Sequence, residues 1–144
     1  VQALEAVVVV GGSNPHYHQL QDTANQSRFP IFLKQNATNM PELMAWADVA
    51  VAAGGSTNWE LAFMGLPSII MTLADNQRDI ACKLNQIGIT LSLGWHEEQT
   101  IAGVAKVISE LFVNVRRRYQ MSQRGQQLVD GKGGKRVVET MISA

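Results

Sequence analysis

Three short segments concentrate the residues that could hold an anion or a sugar. The densest is Gly54-Gly55-Ser56-Thr57, with Glu60 close behind. Two hydroxyls and free backbone N–H groups at a helix start favour an anion, because the helix dipole is positive there. Glu60 falls three residues after Thr57, about one turn on, and shares its face. A carboxylate at that place can accept both hydroxyl hydrogens of a ribose. Thr57-Asn58-Trp59-Glu60 also fits a capping box, in which Glu60 only satisfies the Thr57 N–H. A second turn, Gly11-Gly12-Ser13, offers amides and a hydroxyl, and a tight strand-to-helix turn explains it equally well. It is neither G-x-G-x-x-G nor G-x-x-x-x-G-K-[ST], so NAD and P-loop nucleotides are unsupported. In Asp75-Asn76-Gln77, Asn76 and Gln77 can bond sugar hydroxyls or phosphate oxygens, or face solvent behind an Asp75 N-cap.

Other reactive side chains read as structural. His16 and His18 are two apart, do not share a helix face, and make poor metal partners; His96 is distant and no Cys or Asp cluster joins them. No metal site is expected. The single cysteine, Cys82, excludes an intrachain disulfide. With Ile80 and Leu84 beside it, it reads as a buried thiol, and cysteine usage points to a reducing compartment, most simply the cytoplasm. Arg116-Arg117-Arg118 reads as a solvated helix face. Trp46 and Trp59 read as packing residues beside a strand, and Trp95 as following the last one.

Elements that could position these segments follow from the apolar pattern. The 144 residues suit one compact domain, and 46% hydrophobic against 17% charged residues describes a globular chain with a core. Twelve basic residues balance twelve acidic ones, which argues against a nucleic-acid surface. No run of about 18 apolar residues could span a membrane. Residues 6–10 read as a strand buried on both faces, followed by a helix from Pro15 to about residue 27. Strands are further predicted at 30–33, 48–53, 68–72 and 89–93. Helices are predicted from Asn39 to Ala47, from the 54–57 loop to residue 64, over 75–87, and from Glu97 onward with breaks near Asn114 and at 131–134. Gly65 and Pro67 stop the second of these helices. Alternating strands and helices at short spacing predict an α/β fold, a Rossmann-like doubly wound parallel sheet. A start at Val1, directly before the first strand, suggests a domain with a partner upstream.

The run Trp46-Ala47-Asp48 through Gly65-Leu66-Pro67-Ser68 closely resembles the donor-binding signature of the GT-B family that includes the lipid II N-acetylglucosaminyltransferase. Asn76-Gln77 stands at the usual distance after Pro67. Within that group, residues 33–44 and 130–138 look most like the UDP-sugar hydrolase of pseudaminic acid biosynthesis. The resemblance covers nearly the whole chain and implies the C-terminal half of a GT-B fold, residues 1–144. It implies that Gly12 and Ser13 face the diphosphate, that Thr38, Asn39 and Met40 line the uracil, and that Gly55, Ser56 and Thr57 approach the phosphates. Glu60 would hold the ribose, and Asn76 and Gln77 the sugar.

The same resemblance places the hydrolase's catalytic histidine in a glycine-rich loop of an N-terminal domain, and nothing equivalent precedes Val1. The expected function is therefore UDP-sugar binding for an enzyme hydrolysing a UDP-linked amino sugar in polysaccharide or nonulosonic acid biosynthesis. A glycosyltransferase donor domain and a non-catalytic nucleotide-sugar module are the alternatives. The expected partners are a UDP-sugar and the N-terminal domain, with no cofactor and no nucleic acid.

Overall fold

A computed structural model describes residues 4–144, so the expectation attached to Val1 lies outside the described residues. The chain forms two compact units, one ending at Met40 and one spanning Pro41–Ala144.

In the first unit, β1 (Ala6–Val10) pairs in parallel with β2 (Ile31–Gln35), in register from Ala6 opposite Ile31 to Val10 opposite Gln35. The connecting helix, α1 (Tyr17–Asn25), starts two residues after Pro15 because the turn occupies Pro15 and His16. The expectation that β1 is buried on both faces is corrected. Val10 is buried, but Val9 is 44% exposed and Phe32 on β2 is 53% exposed. Val9 opposes Lys34 and Phe32 opposes Val7, so both lie on one face of the pair. A single helix packed on two strands leaves that face bare.

In the second unit, β3 (Ala50–Ala53), β4 (Ser68–Thr72) and β5 (Thr90–Trp95) form a parallel sheet in the order β3-β4-β5. The five expected strands are therefore present and parallel, hydrogen-bonded as a pair and a triplet. The helices are α2 (Met40–Trp46), α3 (Thr57–Met64), α4 (Arg78–Gln86), α5 (Ile101–Val113), α6 (Val115–Leu128) and α7 (Gly133–Ile142). Central strand β4 has a core on each face, since successive side chains point oppositely. Ile70 packs with Ala62, Ala81, Leu84 and Ile89, and Ile69 with Leu111 and Met121. Helices α3 and α4 thus cover one face of β4 and α5 and α6 the other, with α6 also packing against α3.

Local chemistry sets the helix ends. Gly65 takes φ 67°, its N–H bonds Ala62 O and the Leu66 N–H bonds Leu61 O, a left-handed C-terminal cap that only glycine adopts without strain. Asn114 breaks the last helices as expected, its side chain accepting the Arg117 N–H at 2.9 Å to cap α6. The expected helix over 75–87 divides into a 3-10 turn, Asp75–Gln77, and α4. Gly125 on α6 lies so close to α3 that a β-carbon would stand 2.8 Å from Ala62 O.

Three readings of individual side chains are corrected. Cys82 is exposed, because the buried face of α4 carries Ala81 and Leu84, and residues two apart lie on opposite sides of a helix. Trp46 and Trp59 are 49% and 41% exposed. Arg118 is not a solvated member of its triplet. Its guanidinium donates to Leu111 O at 3.1 Å and to Phe112 O, satisfying carbonyls left open at the end of α5. Among the described residues, no helix is long and apolar enough to cross a membrane.

Candidate functional site

The second unit builds its glycine-rich loop at the carboxyl end of β3. The Gly54 N–H donates to Met71 O at 3.1 Å and extends the β3-β4 ladder by one residue. Gly54 is buried against Gln77: a β-carbon there would stand 3.1 Å from the Gln77 Cβ. Gln77 in turn accepts the Leu73 N–H through Oε1 at 2.9 Å, which folds the segment after β4 back beside the loop. The structure therefore brings Gly54, Gly55 and Gln77 together. The Gln77 Nε2 donor enters no hydrogen bond among the described residues and is left for another partner.

Helix α3 begins at Thr57, with Ser56 at its N-cap in helical geometry and no side-chain cap. The Asn58 and Trp59 N–H groups bond the carbonyls of Gly55 and Ser56. The backbone N–H groups of Gly55, Ser56 and Thr57 have no such partner among the described residues. Both hydroxyls are exposed, as is Glu60 in the first turn. The capping box is not formed: the helix starts one residue too early for Thr57 to be the N-cap, and no side-chain hydrogen bond among the described residues joins Glu60 to the Thr57 N–H. Three N–H groups, two hydroxyls and a carboxylate thus share one helix start, an arrangement able to take an anion and a diol together.

Asn76 is exposed on the 3-10 turn. Asp75 is not an N-cap but pairs with Arg78 Nε at 2.8 Å. The Arg78 guanidinium lies 4.4 Å from the centre of the Trp95 ring, and Trp95 Nε1 donates to Glu97 Oε2 at 3.2 Å. Trp95 is the last residue of β5 and not a residue beyond it. This stack went unread from sequence, since Arg78 and Trp95 are 17 positions apart and only the register of Thr72 with Trp95 brings their segments together. Asn58 was also missed as a loop brace. It is 1% exposed, and its Nδ2 donates to Ala53 O at 3.2 Å and Gly55 O at 2.7 Å. The habit of asparagine of bonding nearby backbone was the available signal.

In the first unit, Gly11, Gly12 and Ser13 form an exposed turn closed by the Asn14 N–H on Gly11 O at 3.1 Å. Gln35 Nε2 donates to Gly12 O at 3.3 Å. A β-carbon on Gly12 would stand 2.5 Å from the Asn36 amide, so a larger residue here would push that exposed side chain aside. Thr38 and Asn39 are exposed and Met40, half-buried, opens α2; no hydrogen bond among the described residues ties them to the Gly12 turn. His16 and His18 are exposed, and among the described residues no three His, Cys, Asp or Glu side chains are grouped as a metal would need. Asp130, far from both loops in sequence, is held at about 2 by the Arg136 guanidinium and the Lys132 N–H, which ties the turn before α7.

Residues 2–135 match the Glycosyltransferase family 28 C-terminal domain. The spore coat polysaccharide biosynthesis protein SpsG of Bacillus subtilis (strain 168) is 28% identical over 126 residues, 87% of this chain and 37% of that protein. The chain thus spans well under half the length of this curated relative. Among solved structures, MurG of Acinetobacter baumannii superposes with TM-score 0.76 at 16% identity, over 99% of this chain and 53% of that one. A glycotransferase of kitacinnamycin gives 0.69 at 18%, over 98% and 43%. These neighbours share the fold, parallel sheets flanked by helices in the Rossmann-like manner of GT-B glycosyltransferases, as the sequence led us to expect. With most of its length matched, the chain belongs to the glycosyltransferase family 28 C-terminal domain family.

Proposed function

We propose that this chain binds a UDP-sugar, with the diphosphate on the Gly55, Ser56 and Thr57 amides and hydroxyls and the ribose diol on Glu60. The observation that carries this reading is the open start of α3: among the described residues, three N–H groups without backbone partners lie beside Glu60, which enters no ion pair. An anion there is favoured by the dipole and by donors that need no reorganisation. A carboxylate next to it would repel an anion alone, yet it suits a ligand that carries hydroxyl hydrogens about one helical turn from its phosphates. Asn76 and the Gln77 amide would meet the sugar. In the first unit, taken by itself, the family resemblance gives Gly12 and Ser13 a phosphate-facing role and Thr38, Asn39 and Met40 a uracil-facing one.

For the whole protein, we infer hydrolysis of a UDP-linked amino sugar: water activated by a histidine outside this chain attacks C1, and UDP leaves. This domain would contribute by stabilising the charge that develops on the departing diphosphate. The support is the resemblance of residues 33–44 and 130–138 to the hydrolase, and the relatedness to SpsG supports a place in polysaccharide biosynthesis. Transfer to an acceptor is the second reading, favoured by the family's own description. A free, exposed Cys82 fits a reducing compartment, with the cytoplasm the simplest.

Calorimetric titration of the chain tests the binding claim. UDP and UDP-N-acetylglucosamine are expected to bind saturably and at least about tenfold tighter than UMP, which lacks one phosphate and the charge-assisted hydrogen bonds worth about that factor. UDP is also expected to bind tighter than ADP, which differs from it only in the base that Thr38, Asn39 and Met40 would face. Equal affinities for UDP and ADP, or none for either, would remove the uridine reading.

A further inference from the structure

Asn58 lies outside every ligand-facing set described above, yet it controls the peptide groups of the loop. Its Nδ2 donates to Ala53 O at 3.2 Å and Gly55 O at 2.7 Å, the two carbonyls that bracket Gly54. In a trans peptide the C=O and the following N–H point in opposite directions. With the Ala53 carbonyl turned to Asn58, the Gly54 N–H must face away, and it bonds Met71 O at 3.1 Å. The Gly55 carbonyl is held twice, by Asn58 Nδ2 and by the Asn58 backbone N–H at 3.2 Å. The Ser56 N–H on the opposite edge of that peptide is therefore turned outward, and it has no backbone partner among the described residues.

The other half of the amide sharpens the point. Asn58 Oδ1 is buried and accepts no hydrogen bond among the described residues, a costly arrangement that a leucine of similar size would avoid. What asparagine adds over leucine is the pair of bonds to the loop carbonyls.

We propose that Asn58 is a positioning residue for the diphosphate: it keeps the Gly55-Ser56 peptide from flipping, so that an N–H and not a carbonyl meets the anion. The proposal rests on the nucleotide reading above. In Asn58→Leu the carbonyls lose their side-chain donor, and a flipped peptide would present an oxygen to the phosphates. Affinity for UDP is expected to fall about tenfold or more, while affinity for uridine, which carries no phosphate, is unchanged. A residue that merely supported the fold would weaken both alike. Asn58→Ser, able to donate to one of the two carbonyls, is expected to lose less and serves if the leucine variant fails to fold. A UDP-to-uridine preference unchanged in either folded variant overturns the proposal. In the unsubstituted chain, the Asn58 side-chain N–H protons are expected to exchange with solvent far more slowly than those of an exposed asparagine. Exchange at the exposed rate overturns the bracing role even if no nucleotide binds. Absence of UDP binding by the unsubstituted chain, with slow exchange retained, counts instead against the nucleotide reading.

Discussion

Glu60→Ala is expected to lower the affinity for UDP by about 10- to 100-fold while leaving the fold intact. The argument is one of geometry and charge. Glu60 sits in the first turn of α3, exposed, with no ion-pair partner among the described residues, so nothing internal competes for its carboxylate. Two hydrogen bonds from ribose hydroxyls to an ionised acceptor are worth about 1.5–3 kcal/mol each, discounted here because water reaches the site. Each 1.4 kcal/mol is about a factor of ten, which sets the range. The effect on stability is bounded by the loss of a favourable charge at a helix N-terminus, about 0.3–1 kcal/mol. A 2′-deoxyribose nucleotide diphosphate should lose much of the same affinity against the unsubstituted chain. Calorimetry together with a thermal melt separates the two effects, and a folded Glu60→Ala chain with full UDP affinity would take Glu60 out of the site.

Ile70→Ala is expected to destabilise the second unit by about 2–5 kcal/mol, the range for removing a large aliphatic side chain from a packed core. Ile70 is fully buried on central strand β4 and packs with residues from α3 and α4 and with Ile89, just before β5. The neighbouring strands fix the backbone on both sides, so the cavity can collapse little. The same substitution bears on the loop, because Ile70 Cγ2 lies 3.4 Å from where a β-carbon on Gly54 would stand. Urea denaturation measures the cost. A loss under about 1 kcal/mol would mean that β4 is not the core strand described here.

How much of this was legible beforehand depends on the range over which each residue acts. The strands were readable because Val7 to Val10 and Ile69-Ile70 are β-branched runs bounded by glycine and proline, a local signal. The loop of residues 54–57 was readable for the same reason. Its competing capping-box reading could not be dismissed from sequence, since it turns on whether the helix begins at Thr57 or one residue later, and helix ends are set by packing as much as by residue type. Burial was harder. Val9 and Phe32 look like core residues by type, yet among the described residues of their unit the single helix α1 leaves them 44% and 53% exposed. Cys82 was misread through its neighbours at two-residue spacing, which is the strand period applied to a helix. Arg118 was grouped with its charged neighbours, although the carbonyls it satisfies end a different helix. The stack of Arg78 on Trp95 and the division of the strands into two hydrogen-bonded groups depend on register between distant segments, which no local pattern encodes.

The central claim is that a uridine diphosphate seats on the start of α3. Its most direct test is an amide NMR titration of the chain with UDP, following Gly55, Ser56, Thr57 and Glu60. The account predicts saturating shifts at these four positions, largest at Ser56 and Thr57, with ADP producing weaker ones. Saturable shifts confined to other segments, or none at these amides at millimolar UDP, would contradict it.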